Sequence, residues 1–241
     1  MAKKCKMLFC FFVALFVPLA AHAYSSRFCP PHETEVIIDN QVTPERLQYD
    51  YSKSVPELTK MSGKVVPEGA IGGAFGLFSR KVGSRLRISD PGEAAGMHKD
   101  GNAFVYNGGC IKKITVTVTL INDDPTIYVG REFLEGTKAY NYVQWHENEH
   151  ARIVIENNKR YAPYLKQELE RYIAGMQFHV PESINEFMNT YSYVYQKIGY
   201  VTNLNIDKLN NFINYANKEF DAKEHQHDYW LMDEYMKLKK Q

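Results

Sequence analysis

The chain has 241 residues, with 29 lysines and arginines against 28 aspartates and glutamates, a formal balance of +1. Such near-neutrality excludes the basic surplus of a nucleic-acid binder and gives no electrostatic reason to expect an anionic membrane surface as partner. Its 17 tyrosines and 13 phenylalanines can fill the core of one large domain.

The first residues set Lys3, Lys4 and Lys6 before the apolar run "MLFCFFVALFVPLAA", followed by Ala21-His22-Ala23, a small-x-small site. This pattern predicts a secretory signal peptide over residues 1–23, cleaved after Ala23. The run is too short and wrongly flanked for a permanent membrane anchor, so the expectation is an exported chain, periplasmic or secreted. Without the leader, 26 basic side chains face 28 acidic ones, a balance of −2. Cys5 and Cys10 leave with it, and Cys29 and Cys110 remain. In an oxidising compartment the simplest expectation for those two is one disulfide, the alternative being two reduced thiols.

From Tyr24 to about residue 131 the chain is rich in Gly, Pro and β-branched residues; from about Thr137 onward it is rich in helix formers. This predicts an α+β domain over 24–241, with a strand-rich part (24–131) and a helical part (137–241). "ETEVIIDN" predicts a strand. "SVPELTKMSGKV" predicts a short helix from near Pro56, and the glycine-dense "PEGAIGGAFGLFSRKVG" a loop or hairpin. In "IKKITVTVTLINDDP", Ile114, Val116, Val118 and Leu120 alternate with threonines, the period of a half-buried strand. Asn122-Asp123-Asp124-Pro125 is turn chemistry, from which "TIYVG" is expected to return as the partner strand. Helices are then expected from Thr137 to about Asn158, with a continuation or second helix through "YAPYLKQELERYIAGM", then from Pro181, and from Asn205 or Asp207 to the end.

The first of these helices contains "WHENEH", Trp145 to His150, which satisfies both H-E-x-x-H and its inverse H-x-x-E-H. Residues four apart on a helix share a face, so His146 and His150 project together, the geometry two imidazoles need to share a zinc ion. Tyr142, Val143, Ile153 and Val154 extend that face, and an inward histidine pair without a partner is costly to desolvate. Glu147 and Glu149 flank the pair about 100° to either side, so periodicity does not choose a base between them. The candidates for a third ligand are His225 and His227 in "NKEFDAKEHQHDYW", where Asp221 stands four residues before His225 as a carboxylate suited to orienting it. Glu170 is a further candidate, at a spacing used by thermolysin-like enzymes. The plain alternatives are a solvated polar face for each of these segments.

Four segments resemble, in order, a family of bacterial exported proteins of unknown function described as predicted secreted zinc-dependent proteases. "LQYDYSKSVPELTKM" is similar to that family's early Y-x-D-x-x-G/S-x-S-x-x-E-L segment. "CIKKITVTVTLI" resembles its cysteine and alternating strand, "YNYVQWHENEHARIVIENNKRYAPYL" its H-E-x-G-H helix, and "NKEFDAKEHQHDY" its closing Y-D-x-x-T-x-H-G. Glu149 stands in place of a glycine, Phe220 of the closing tyrosine and Glu224 of the threonine. Gln226 falls at the strict position of the closing histidine. The family's second cysteine after the motif helix is absent, which leaves Cys110 to pair with Cys29.

The resemblance implies a zincin-like domain, with antiparallel strands followed by the motif helix. It implies zinc on His146 and His150 with His227 or His225 as third ligand, and Glu147 as general base. The expected activity is hydrolysis of a peptide or protein substrate by a zinc-activated water; the alternative is a non-catalytic or degenerate zincin domain serving as an envelope interaction module.

Overall fold

The alternating segment forms the centre of the larger sheet. In the computed structural model, which describes residues 28–63, 73–79, 82–89, 98–100, 103–105, 109–122, 125–224 and 227–240, β1 spans Glu33–Asn40 and β4 spans Val82–Ile88. Both pair with β7, Lys113–Asn122. The order is β1-β7-β4, with β1 parallel to β7 and β4 antiparallel. Ile114, Val116, Val118 and Leu120 are buried, as the period-2 pattern demands. The smaller sheet joins β2 (Gln48–Asp50), β8 (Thr126–Val129) and β3 (Gly76–Ser79) in the order β2-β8-β3. Here β2 runs parallel and β3 antiparallel to β8. A short hairpin pairs β5 (His98–Asp100) with β6 (Ala103–Val105).

Two expectations for the strands are corrected. The sheets are mixed rather than antiparallel, and the "TIYV" segment does not return along β7. Both edges of β7 are occupied by β1 and β4, so β8 builds a separate sheet with β2 and β3. The signal-peptide segment, part of the glycine-dense stretch (67–72, 80 and 81), the turn residues Asp123 and Asp124, and His225 lie outside the described residues.

Parallel pairing explains the cysteines. The register Glu33↔Lys113 brings the residues just before β1 and β7 to the same end of the sheet, and Cys29 and Cys110 form a disulfide there with Cα atoms 5.5 Å apart. The closed loop spans 81 residues, for which the chain-entropy account gives about 4 kcal/mol of stabilisation.

Two helices start where the sequence supplies a cap. Helix α1 (Val55–Met61) opens on a capping box between Ser54 and Glu57. Helix α2 (Lys138–Ala174) opens on Thr137, whose hydroxyl accepts from the Tyr140 amide. It runs unbroken through Pro163, so "YAPYLKQELERYIAGM" is the continuation rather than a second helix, and α2 is about 55 Å long. The last two expected helices are likewise redrawn: α3 spans Ile184–Glu224 without a break at Asn205, and α4 spans Asp228–Leu238. No helix among the described residues is long and apolar enough to cross a membrane.

Helices α2 and α3 lie antiparallel, as the pairs Tyr161–Asn205, His150–Asn217 and Tyr142–Glu224 show. Their connected ends cover the larger sheet, with Leu165, Leu169 and Ile173 of α2 and Phe187, Val194 and Ile198 of α3 in one apolar cluster with β7. The beginning of α2 packs instead on the smaller sheet and α4, through Ala139, Tyr140 and Val143 against Val129, Leu231 and Tyr235. Between these cores, Val154, Leu209 and Ile213 close the α2–α3 seam. The polar segment of the seam beyond them holds the site.

Candidate metal centre

Helical periodicity carries the α3 stripe Leu209, Ile213 onward to Asn217, Asp221 and Glu224. Antiparallel packing sets these residues against His150, His146 and Tyr142 of α2. The Nε2 atoms of His146 and His150 stand 3.1 Å apart. Asp221 Oδ1 lies 3.0 Å from His150 Nε2 and 3.4 Å from His146 Nε2. Together they form a group able to hold a metal ion. Three atoms bonded tetrahedrally to one ion at about 2.0–2.1 Å stand about 3.3 Å apart, so the triangle has the dimensions of a coordination face.

The donor set supports the same reading. Two imidazole nitrogens and a carboxylate oxygen have at most one proton per ring to share among three converging lone pairs. Asp221 also sits in the last turn of α3, where the helix dipole disfavours negative charge, and a cation between the helices removes that cost. Burial opposes a charge on His150. Hydrogen bonds to Asp221 and Asn217, with the field of Glu147, outweigh it and raise its pKa above the usual imidazole value. Burial would raise the Asp221 carboxyl, but hydrogen bonds to His146 and His150 hold it well below the ordinary carboxylate range. Both directions describe one preference: positive charge at the centre of the triangle.

Glu147 and Glu149 are separated by their surroundings. Glu147 falls on the inward stripe Val143, Glu147, Ala151, Val154 and is buried. Burial pushes its carboxyl above the usual range, partly offset by the His150 and His146 charges and by the Phe78 backbone amide of β3. Gly76, two residues before Phe78, permits this approach. A Cβ there would fall 2.6 Å from Glu147 Cγ and 2.7 Å from both Glu147 Oε1 and Val143 Cγ1. Glu149 points the other way, with Oε2 accepting from Arg152 Nε at 2.7 Å, and Arg152 continues to Glu156 along the outer face.

The remaining candidates lie elsewhere. His227 sits beside the group, its ring 5.0 Å from Tyr142 and its Nε2 3.7 Å from Glu224 Oε2. Tyr142 donates its hydroxyl proton to that same Glu224 oxygen at 3.0 Å. Glu170 is on α2 itself, five turns beyond His150 or about 30 Å along the axis, where it pairs with Lys166. The aromatic rings of Phe220 and Tyr142 border His146, Phe220 at 4.9 Å and Tyr142 at 6.3 Å between centroids. Asp221, expected only to orient a neighbouring histidine, is the third member of the triangle. Asn217 went unnoticed in the sequence, although Asn217 and Asp221 repeat on α3 the four-residue spacing of His146 and His150.

No family model matches the chain, and neither the curated proteins nor the solved structures contain a match to it.

Proposed function

We propose that this chain is a zinc-dependent hydrolase of peptide bonds, exported from the cell, with His146, His150 and Asp221 as metal ligands and Glu147 as general base. The observation that carries the reading is the juxtaposition of the three-atom triangle with a buried glutamate directly after the first histidine. The resemblance to secreted zinc-dependent proteases supports His146, His150 and Glu147 in these roles. Zinc at such a site would supply a Lewis acid and lower the pKa of water to about 7.

The chain's own residues would do the rest. Glu147 has its pKa raised towards the working range of a proton shuttle. It takes a proton from the attacking water and returns it to the leaving amine. The Phe78 amide holds the carboxylate against β3, so the base has little freedom to swing away. Strand β3 ends its sheet, and an extended substrate backbone can pair along its outer edge beside Glu147. Phe220, packed on both histidine rings, limits water on the opposite side.

Metal analysis of the purified chain, with peptide-library hydrolysis, tests this. One zinc per chain is expected. Glu147→Gln should keep the metal and lose hydrolysis by 100-fold or more, on the order of the contribution of a positioned general base. His146→Ala and Asp221→Ala should lose the metal. A chain without stoichiometric metal would overturn the reading, and metal without hydrolysis of any peptide in the library would leave a binding domain in its place.

A further inference from the structure

His150 and His146 are not held alike. His150 Nδ1 lies 3.0 Å from Asn217 Oδ1, whereas His146 Nδ1 is buried with no hydrogen-bond partner among the described residues. The ring nitrogen that faces away from a metal decides the tautomer, because a proton there leaves the lone pair on the other nitrogen. An amide oxygen facing Nδ1 holds a proton on that nitrogen. His150 Nε2, 3.0 Å from the Asp221 carboxylate, then carries only the second proton of the imidazolium form, the one a cation displaces.

We infer that Asn217 is a positioning residue for the centre, holding a proton on His150 Nδ1 so that Nε2 is the nitrogen offered to a cation, and making His150 the anchoring ligand. This rests on the metal-binding reading above, and it deepens that reading by assigning the two histidines unequal parts. Asn217 and Asp221 lie one turn apart on α3 and meet the same ring, one at each nitrogen. The ring plane of His150 is thereby set by a single rigid helix. His146 has no such partner. Its Nδ1 tolerates being a bare lone pair more easily than an unpaired N–H, so in the metal-free chain its proton belongs on Nε2, where Asp221 Oδ1 is 3.4 Å away to accept it. Binding a cation at Nε2 moves that proton to Nδ1, whereas His150 keeps its Nδ1 proton throughout.

Two measurements test the inference separately from the function. The first is NMR of imidazole nitrogens in the metal-free full-length chain, above the titration of both rings. It should show His150 as the Nδ1–H tautomer and His146 as the Nε2–H tautomer. Asn217→Ala should return His150 towards a mixture of tautomers. The second is titration with Zn2+ against a competing chelator. Asn217→Ala should weaken binding about 10- to 100-fold, and Asn217→Asp, which keeps an acceptor facing Nδ1, should restore it. The Asp variant controls for folding, since it preserves the side-chain size. A wild-type His150 found in the Nε2–H tautomer, or an Asn217→Ala chain that binds Zn2+ as tightly as wild type, overturns the inference. A wild-type chain that binds no Zn2+ but shows the expected tautomers overturns the metal reading and leaves the role of Asn217 standing.

Discussion

The seam between α2 and α3 has two ends built on the same geometry and opposite chemistry. At the connected end, Leu165, Leu169 and Ile173 meet Phe187, Val194 and Ile198, all buried. Nothing there requires a partner from outside. At the other end the same helical faces present His146 and His150 against Asn217 and Asp221. Lone pairs converge in that region, and a buried carboxyl stands beside them. The contrast teaches that stability and chemistry are divided along one pair of helices. The apolar end holds the helices in register, and that register brings the polar groups within 3.0–3.4 Å of one another.

The contrast can be broken most strongly at the apolar end. Leu169 is fully buried, and Leu169→Ala should cost about 3 kcal/mol, the middle of the range for a core leucine. Urea unfolding measures this, and the loss should be the same with and without Zn2+. At the polar end the dependence reverses. Saturating Zn2+ at about 100 times its dissociation constant should add about 2.7 kcal/mol by mass action, read as a rise in melting temperature, and Asp221→Ala should abolish the gain. Equal stabilisation of the Asp221→Ala chain would place the ion elsewhere.

A smaller effect is expected where β3 meets α2. In Gly76→Ala the new methyl collides with Glu147 and Val143, an overpacking that should cost about 1–3 kcal/mol. Hydrolysis should fall with it, because Glu147 must leave the Phe78 amide. The smallest effect runs in the opposite direction. Burial holds the folded-state pKa of Glu147 above the ordinary glutamate value. The folded chain therefore binds this proton more tightly than the unfolded chain. The associated stability is fully present below the unfolded pKa and is lost as pH rises through the folded one. Glu147→Gln removes that loss, so the metal-free variant should be more stable than wild type at neutral pH, with the difference shrinking towards pH 4. Parallel urea midpoints for the two chains across that range would show it. A variant less stable at neutral pH would mean that the Phe78 contact outweighs the burial of the charge.

Much of the fold was legible in the chain. The alternation of β7, helices starting near Pro56 and Thr137, and the inward placement of His146 and His150 all follow from local pattern, and the structure has each of them. Whether the helix continues beyond Asn158 is open in the sequence, since an interior proline such as Pro163 normally ends a helix; packing of Leu165, Leu169 and Ile173 carries α2 past it. The break near Asn205 failed for a similar reason. Asn205 is buried, with its amide bonded to Val201 O and its oxygen to Tyr161, so a residue that favours turns is satisfied inside a helix.

The sequence by itself determined that two histidines share a helical face and that a glutamate stands on either side, because a period of 3.6 residues is a property of a single segment. Only the tertiary structure decided which glutamate is buried, which carboxylate completes the triangle, and that Cys29 meets Cys110. Each of those depends on how segments far apart in the chain are set against one another. The approach of β3 at Gly76 buries Glu147 and leaves Glu149 to Arg152. The antiparallel register of α3 on α2 delivers Asp221. The parallel pairing of β1 with β7 brings the cysteines together, through contacts that no local pattern encodes.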